Sequence, residues 1–237
     1  MSGIFKFKQF EVDQSGCAMK INTDGVLLGA LVHTDDPQSI LDIGTGTGVI
    51  AMMLAQRYTS ACIDAVEIDK QAAQTAGMNF ANSPFKERLA VHAMSIDMFL
   101  DVHLDQQFDL IVSNPPFHIN SLESPEPNKA LAKHSEVSFF EMLMKDVSEY
   151  LSREGLCWLI LPPQTAIEVK ELATINRLKL QRTILVKSFE KSVPHREILC
   201  FGFQDQPLLL EEVVIYKAAR VYSEEYIKLL QPYFITF

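Results

Sequence analysis

The sequence predicts an α/β fold, with a mostly parallel β-sheet that has an antiparallel edge and with helices on both faces. From Ser39 onward, apolar runs of strand length alternate with stretches of helical periodicity, which is typical of β-α-β units. Near the C-terminal end, three further runs follow with no long helix between the last two, which is typical of antiparallel strands. We therefore expect one domain spanning residues 1–237.

The alternating part of the pattern gives five strands and three helices. The expected strands are Ile40–Ile43, Ala61–Val66, Leu89–Ala93, Phe108–Val112 and Leu156–Leu161. The expected helices are Val49–Arg57, Lys70–Asn82 and Ser138–Leu151. The strands of the tail are expected at Lys179–Val186, Glu197–Phe203 and Glu212–Tyr216, and a last short helix at Ser223–Leu230.

The first 36 residues are expected to form a hairpin and helix extension that packs on the core of residues 37–237. Apolar residues alternate here as in a strand, at Phe5, Phe7, Phe10 and Val12. A turn is expected at 13–16, and Thr23-Asp24 is expected to precede a helix over Gly25–Leu31.

The segment from His118 to Ser135 is expected to be a loop. It contains Pro125 and Pro127 and has little periodicity. Loops of this length in a compact domain are usually functional or mobile, so we expect one of these two roles.

The composition is ordinary for a soluble protein, with 48% hydrophobic and 22% charged residues. No apolar run is long enough to span a bilayer. The first ten residues alternate lysine with phenylalanine and do not form the apolar centre of a signal peptide. A cytoplasmic location is therefore expected, with the monomer as the favoured state.

The cysteines and histidines predict neither disulfides nor a metal site. The four cysteines are far apart and form no Cys-x-x-Cys pair: Cys17, Cys62, Cys157 and Cys200. Three of them lie in expected strands, so we expect buried, reduced thiols. The six histidines have no metal-ligand spacing.

The charge is unevenly distributed along the chain. A formal net charge of −9 argues against a protein that coats nucleic acid in general. A basic stretch nevertheless lies near the C-terminal end: Arg177, Lys179, Arg182, Lys187, Lys191 and Arg196. With four further lysines, it is a candidate for contacting RNA phosphates: Lys6, Lys8, Lys129 and Lys133.

A glycine-rich turn follows the first strand of the alternating pattern. Gly44, Gly46 and Gly48 are placed where the backbone must turn sharply and a ligand can lie against it. The dinucleotide fingerprint has glycines at its first, third and sixth positions, but the sixth position here is Val49. Asp42, inside the strand, would repel a pyrophosphate and suit a positively charged ligand. The turn therefore argues against NAD.

An acid follows the next strand. Glu67 lies about twenty residues beyond the glycine turn, where an acid can accept hydrogen bonds from both hydroxyls of a ribose. Asp69 is expected to begin the following helix instead.

The four residues after the strand Phe108–Val112 and Ser113 have the chemistry to hold an amino group. The Asn114 side-chain carbonyl can accept a hydrogen bond from an NH2 group, and Pro115 and Pro116 restrict the backbone that carries the next carbonyls. Phe117 offers a flat face on which a planar base or amide can stack. An Asn-Pro turn without function is the alternative interpretation.

Together these motifs resemble the class I S-adenosylmethionine-dependent methyltransferases. The stretch from Leu41 to Gly48 resembles their first motif, Glu67 their ribose-binding acid, and Asn114 to Phe117 the fourth motif of the enzymes that methylate amino nitrogens. The resemblance covers nearly the whole chain. It implies a Rossmann-like fold with a seven-stranded sheet and S-adenosyl-L-methionine as the cofactor.

The N-terminal residues are similar to those of a narrower family, the bacterial tRNA adenine-N6 methyltransferases that act on a valine tRNA. In that resemblance, Lys20, Thr23 and Asp24 lie near the methionine end of the cofactor. The class often has an acid near the cofactor adenine, whereas the corresponding stretch here is Ala93-Met94-Ser95-Ile96-Asp97. Ser95, its backbone or a shifted Asp97 is therefore the candidate, with Ile68 on one side of an apolar slot.

The resemblance implies methylation of the N6 amino group of an adenine in a tRNA anticodon loop, at position 37. Asn114 and the Pro115 carbonyl would accept the two N–H groups, and Phe117 would stack on the base. Methylation of a protein glutamine amide remains open, because that amide has the same NH2 geometry. Ribosomal RNA and DNA amino groups are further alternatives, and an NAD-dependent oxidoreductase is a remote one.

Overall fold

The computed structural model describes residues 3–115 and 129–237, and this part of the chain contains twelve strands and seven α-helices. The strands are β1 Ile4–Lys6, β2 Glu11–Asp13, β3 Ser39–Ile43, β4 Cys62–Val66, β5 Leu89–His92, β6 Phe108–Ser113, β7 Leu151–Leu161, β8 Lys179–Lys187, β9 Arg196–Gly202, β10 Leu209–Val214, β11 Tyr216–Ala218 and β12 Val221–Tyr222. The helices are α1 Thr23–Leu31, α2 Val49–Arg57, α3 Lys70–Ala81, α4 Ile96–Asp101, α5 Lys129–Tyr150, α6 Pro163–Ile175 and α7 Glu224–Leu230.

Eight strands form one sheet in the order β10-β8-β9-β7-β6-β3-β4-β5. Strand β9 runs antiparallel to both of its neighbours, and every other neighbouring pair is parallel. The predicted α/β fold class is confirmed. The sheet has eight strands where the family resemblance implied seven, because β10 pairs in parallel with β8 and becomes the edge strand.

Helices cover both faces of the sheet and create two cores. One core joins the sheet to α1, α2, α3, α7 and the β1–β2 hairpin. The other joins it to α4, α5 and α6. Parallel strands need this coverage, since they are buried on both faces.

Side-chain caps set the beginning of three helices near the carboxyl edge of the sheet. Asn22 caps α1, Asp69 caps α3 and Ser95 caps α4, each by accepting a hydrogen bond from a backbone N–H of the first turn. The prediction that Asp69 begins a helix is therefore confirmed.

The N-terminal hairpin turns at residues 7–10, and the turn expected at 13–16 is also present, after β2. Residues 7–10 connect β1 to β2, and the N–H of Phe7 donates to the carbonyl of Phe10 at 2.9 Å. The alternation of Phe5 to Val12 therefore spans two strands, with Phe7 and Phe10 in the core and their rings stacked 4.4 Å apart. The Lys8 N–H also donates to the Tyr233 carbonyl at 2.7 Å, so this hairpin packs on the end of the tail.

Two predicted boundaries in the middle of the chain are wrong. Helix α5 begins at Lys129, so the last part of the loop expected at 118–135 is helical, and residues 118–128 lie outside the described residues. Strand β7 begins at Leu151, five residues before the expected start. The residues that follow Leu151, Ser152 to Gly155, are polar or small, so the sequence pattern does not indicate a strand there.

The cysteines fit the prediction of free thiols with one correction. Cys17, Cys157 and Cys200 are buried, whereas Cys62 is exposed because it is the first residue of β4. Among the described residues, no helix has the length and apolar character needed to cross a membrane.

Candidate active site

The glycine turn after β3 is held in a conformation that needs glycine. Gly44, Gly46 and Gly48 all have positive φ, at 73°, 57° and 82°. A Cβ atom on Gly44 or Gly46 would meet nothing within 4 Å, so these residues face open space. A Cβ on Gly48 would lie 2.4 Å from a ring atom of Phe80. The turn is therefore closed against α3 on one side and open to a ligand on the other.

Asp42 lies beneath this turn and is completely buried. Its Oδ2 accepts a hydrogen bond from the Thr45 hydroxyl at 2.6 Å, and its Oδ1 has no hydrogen-bond partner among the described residues. Burial raises the pKa of Asp42 to about 7, against the lowering effect of the Thr45 bond. The sequence gave no sign that this acid is buried.

Glu67 links the end of β4 to the glycine turn. One carboxylate oxygen accepts from the Gly46 N–H and the other from the Asp69 N–H, both at 2.9 Å. Each oxygen keeps further capacity to accept, since a carboxylate has about four acceptor sites. Next to it, the Ile68 side chain is 73% exposed.

Asn114 follows β6, the neighbour of β3. The Ser113 hydroxyl donates to the Ile43 carbonyl at 2.8 Å, which ties the ends of these two strands together. The Asn114 side chain is half-buried and makes no hydrogen bond to another described residue. Pro115 is buried, whereas Pro116 and Phe117 lie outside the described residues.

One cleft brings the glycine turn, Asn114 and the N-terminal segment together. It is lined by Met19, Lys20, Ile21, Asn22, Gly25, Gly44, Thr45, Gly46, Thr47, Val49, Ile50 and Asn114. Sequence reasoning missed Asn22 and Gly25, which line the cleft because Asn22 caps α1 and Gly25 lies in its first turn. A helix cap followed by a glycine was the available signal.

The remaining predicted residues lie around this cleft without lining it. Thr23 is exposed on the first turn of α1, and Asp24 is directed to Arg196, whose Nε lies 2.7 Å from its Oδ2. Glu67 and Ile68 follow β4, and Ser95 follows β5; these are the next two strands along the edge. The Ser95 hydroxyl accepts from the Met98 N–H at 3.4 Å. The described residues contain no group of three or more side chains suited to a metal ion.

The basic stretch at 177–196 does not form one continuous surface. Arg177 and Lys179 lie at the amino end of β8, whereas Arg196 pairs with Val186 near its carboxyl end and Lys191 lies in the turn beyond, roughly 25 Å away. Three of its six cations are in ion pairs: Arg182 with Glu211, Lys187 with Glu212, and Arg196 with Asp24. Only the carboxyl-end part lies at the same edge as the cleft.

Comparison with known proteins identifies the family. The family model described as "Methyltransferase small domain" matches residues 17–175. A protein of Pedobacter heparinus named tRNA1(Val) (adenine(37)-N6)-methyltransferase is 45% identical over the whole of both chains. The chain belongs to this family of methyltransferases. A relative of the same name from Bacteroides thetaiotaomicron is 40% identical, over 98% of this chain and 97% of its own.

Solved structures of other methyltransferases share the fold. A predicted O-methyltransferase from Agrobacterium tumefaciens aligns with a TM-score of 0.69 at 19% identity, over 89% of this chain and 96% of its own. A ribosomal protein L11 methylase from Lactobacillus delbrueckii subsp. bulgaricus aligns with a TM-score of 0.58 at 16% identity, over 82% and 84%. At these identities the likeness concerns the fold of the methyltransferase family alone.

Proposed function

We propose that this methyltransferase transfers the methyl group of S-adenosyl-L-methionine to the N6 amino group of adenine 37 in a valine tRNA. The observation that carries the proposal is the half-buried Asn114 side chain, which makes no hydrogen bond to another described residue and lies in the cleft that the glycine turn also lines. The names of the relatives, which match along the full length, give the substrate.

The residues around the cleft fit the proposed cofactor. Gly44 and Gly46 face open space, so an amino acid and a ribose can lie against the turn. Glu67 has acceptor capacity for ribose hydroxyls, and exposed Ile68 offers an apolar surface for an adenine ring. Asp42 is buried below the turn with its pKa raised to about 7, so a cationic ligand above the turn would favour its charged form, whereas a pyrophosphate would oppose it. The same features disfavour an NAD-dependent oxidoreductase.

The protein's chemical role is alignment. When bound, S-adenosylmethionine supplies a methyl group on a cationic sulfur, which is already a strong electrophile. The Asn114 side-chain oxygen and the Pro115 carbonyl would accept the two N–H groups of the target amine. Holding both hydrogens favours a pyramidal nitrogen with its lone pair free for the methyl, and it stabilises the positive charge that develops. No strong base is needed, because the nitrogen becomes acidic as it is methylated. Phe117, which lies outside the described residues, stays the predicted stacking partner of the base.

The substrate is tested by methyl transfer in vitro and by nucleoside analysis in cells. Purified protein with isotopically labelled S-adenosylmethionine is offered unmodified valine tRNA, a glutamine-containing peptide and single-stranded DNA. We expect label in the tRNA alone, recovered as N6-methyladenosine. In a deletion strain, mass spectrometry should show that this nucleoside is lost from position 37 of valine tRNA. Label in the peptide with none in tRNA would replace the proposal with glutamine-amide methylation.

A further inference from the structure

Two segments form one surface beside the cleft. The β8–β9 turn, residues 188–195, and the β11–β12 hairpin, residues 216–222, both follow strands that end at the carboxyl edge. The N–H groups of Ile215 and Tyr216 donate to the carbonyls of Lys187 and Ser188, each at 2.9 Å. We call these two segments together the flanking surface.

The flanking surface lies close to Asn114. Strand β8 is three strand positions from β6, which corresponds to about 14 Å along the edge. Arg196 follows the turn directly and donates from Nε to Asp24 Oδ2 at 2.7 Å. Asp24 is next to Gly25, which lines the cleft with Asn114. A substrate that extends a few nucleotides from the cleft can therefore reach this surface.

Contacts between neighbouring rings hold the aromatic side chains of the flanking surface in position. Phe189, Tyr216, Tyr222 and Tyr226 form a continuous series of ring contacts, with centroids 5.8, 5.1 and 4.9 Å apart. Tyr226 is buried at one end of the series, whereas Phe189 at the other end is 42% exposed. Phe189 is thus a preorganised platform, and a base that stacks on it would not have to order a mobile side chain.

The charge of the flanking surface opposes that of the whole chain. It carries Lys191, Lys217 and Arg220 against one carboxylate, Glu190, whereas the net charge of the chain is −9. Lys191 and Arg220 are exposed and form no ion pair with another described residue. Lys217 lies 3.8 Å from Glu224, a contact between two highly exposed side chains that is worth little.

We propose that the flanking surface binds the nucleotides of the anticodon loop next to the methylated adenine, with Phe189 stacking on a base and Lys191 and Arg220 contacting phosphates. The proposal rests on the proposed function. An exposed aromatic platform with unpaired cations is the usual means of holding unstacked RNA bases without reading a duplex. A protein partner would instead favour a larger apolar patch without the cations, and it is the competing outcome of the test.

The test measures tRNA binding and turnover in a variant of this surface. Phe189→Ala, Lys191→Ala and Arg220→Ala are combined in the full-length protein. We expect the Kd for an unmodified valine-tRNA anticodon stem-loop to rise at least tenfold, and the KM for tRNA to rise by a similar factor. The turnover number at saturating tRNA and the Kd for S-adenosylhomocysteine should stay within about twofold of wild type, since the surface does not line the cleft.

A matched control is available at the opposite edge of the sheet. Ile175 is 74% exposed, and Arg177 and Lys179 are exposed cations of the same basic stretch. The triple variant Ile175→Ala, Arg177→Ala and Lys179→Ala removes one apolar and two basic side chains, as the test variant does. It should leave the Kd and KM for tRNA nearly unchanged.

The outcomes separate this proposal from the proposed function. Unchanged Kd in the test variant, or an equal rise in the control variant, would overturn the proposal while leaving methylation of tRNA intact. If wild type does not methylate tRNA, the proposed function fails, and binding of the stem-loop still decides the role of the surface. Weakened methylation of a peptide by the test variant, with tRNA binding unaffected, would assign the surface to a protein partner.

Discussion

The glycine turn after β3 and the Asn-Pro corner after β6 lie on neighbouring strands, yet they are built in opposite ways. In the turn, side chains and backbone bond to one another: Thr45 to Asp42, and Gly46 to Glu67. At the corner, the Asn114 side chain makes no hydrogen bond to another described residue. Under the proposed function, the cofactor would lie against the glycine turn, and the substrate amine would donate to the Asn114 side-chain oxygen.

The largest expected effect concerns Asp42, the buried acid below the glycine turn. Asp42 keeps its proton up to about pH 7 in the folded chain, against a usual value of 3.8. The folded state therefore binds more protons than the unfolded state between about pH 4 and 7, so the free energy of unfolding falls as the pH rises through this window. In wild type, the free energy of unfolding should fall by up to about 4 kcal/mol across this window, since one pKa unit corresponds to about 1.4 kcal/mol. Asp42→Asn should abolish that fall. Urea unfolding at several pH values measures it.

The control for this prediction is Asp105→Asn, which replaces an exposed carboxylate. Its curve of unfolding free energy against pH should run parallel to that of wild type. Parallel curves for wild type and Asp42→Asn would mean that the buried carboxylate does not titrate as the closed turn requires.

The second prediction concerns the Asn-Pro corner. Asn114→Ala should lower the turnover number about 10²–10³-fold, as expected for loss of one preorganised group that stabilises charge in the transition state. The Kd for S-adenosylhomocysteine should change less than threefold or so, because the glycine turn is untouched. Labelled methyl transfer and calorimetry give the two quantities.

Ser113→Ala is the matched control, because Ser113 is adjacent and its hydroxyl only joins β6 to β3. It should cost about 1 kcal/mol in the free energy of unfolding and leave turnover nearly unchanged. If Asn114→Ala and Ser113→Ala reduce turnover equally, the corner has a structural role alone.

The third prediction compares two glycines of the same turn. Gly48→Ala combines a left-handed backbone with a contact at 2.4 Å to Phe80, whereas Gly44→Ala has the backbone cost alone. We expect losses in the free energy of unfolding of about 3 and about 1 kcal/mol, respectively. Gly44→Ala should instead weaken cofactor binding more, because its Cβ projects into the open side. Equal effects of the two variants on both quantities would contradict the division of the turn into a closed and an open side.

The smallest expected effect concerns the proposed contact between Ile68 and the adenine ring of the cofactor. Ile68→Ala should raise the Kd for S-adenosylhomocysteine about fivefold, from the loss of roughly 1 kcal/mol of apolar burial. Ile175→Ala removes an equally exposed isoleucine at the far edge and should leave this Kd unchanged. A null effect at Ile68, measured by calorimetry beside this control, would mean that the adenine does not lie on it.

The strands of the alternating pattern and the glycine turn could be predicted from sequence, because both have local signatures. The apolar run of β6 followed by Asn114 and Pro115 is such a signature, and so is the spacing of Gly44, Gly46 and Gly48. The early start of β7 could not be predicted, because its polar first residues pair with β6 only in three dimensions.

Contacts between side chains that are distant in sequence could not be predicted either. The family resemblance implies that Asp24 lies near the cofactor, but no local pattern predicted its ion pair with Arg196, which is 172 residues away. The basic stretch reads as continuous along the chain, but β8 carries its two ends to opposite edges of the sheet. Both features depend on strand order, which no local pattern specifies.

Asn79 joins the N-terminal hairpin to the glycine turn through one buried side-chain amide. Its side-chain nitrogen donates to the carbonyls of Thr47 and Asp13, and its oxygen accepts from the Asp13 N–H. Asn79→Asp would replace that nitrogen with an oxygen facing two carbonyl oxygens, so the hairpin and the glycine turn would loosen together although their own residues are unchanged. Calorimetry should then show weaker binding of S-adenosylhomocysteine by this variant, and an unchanged Kd would exclude the coupling.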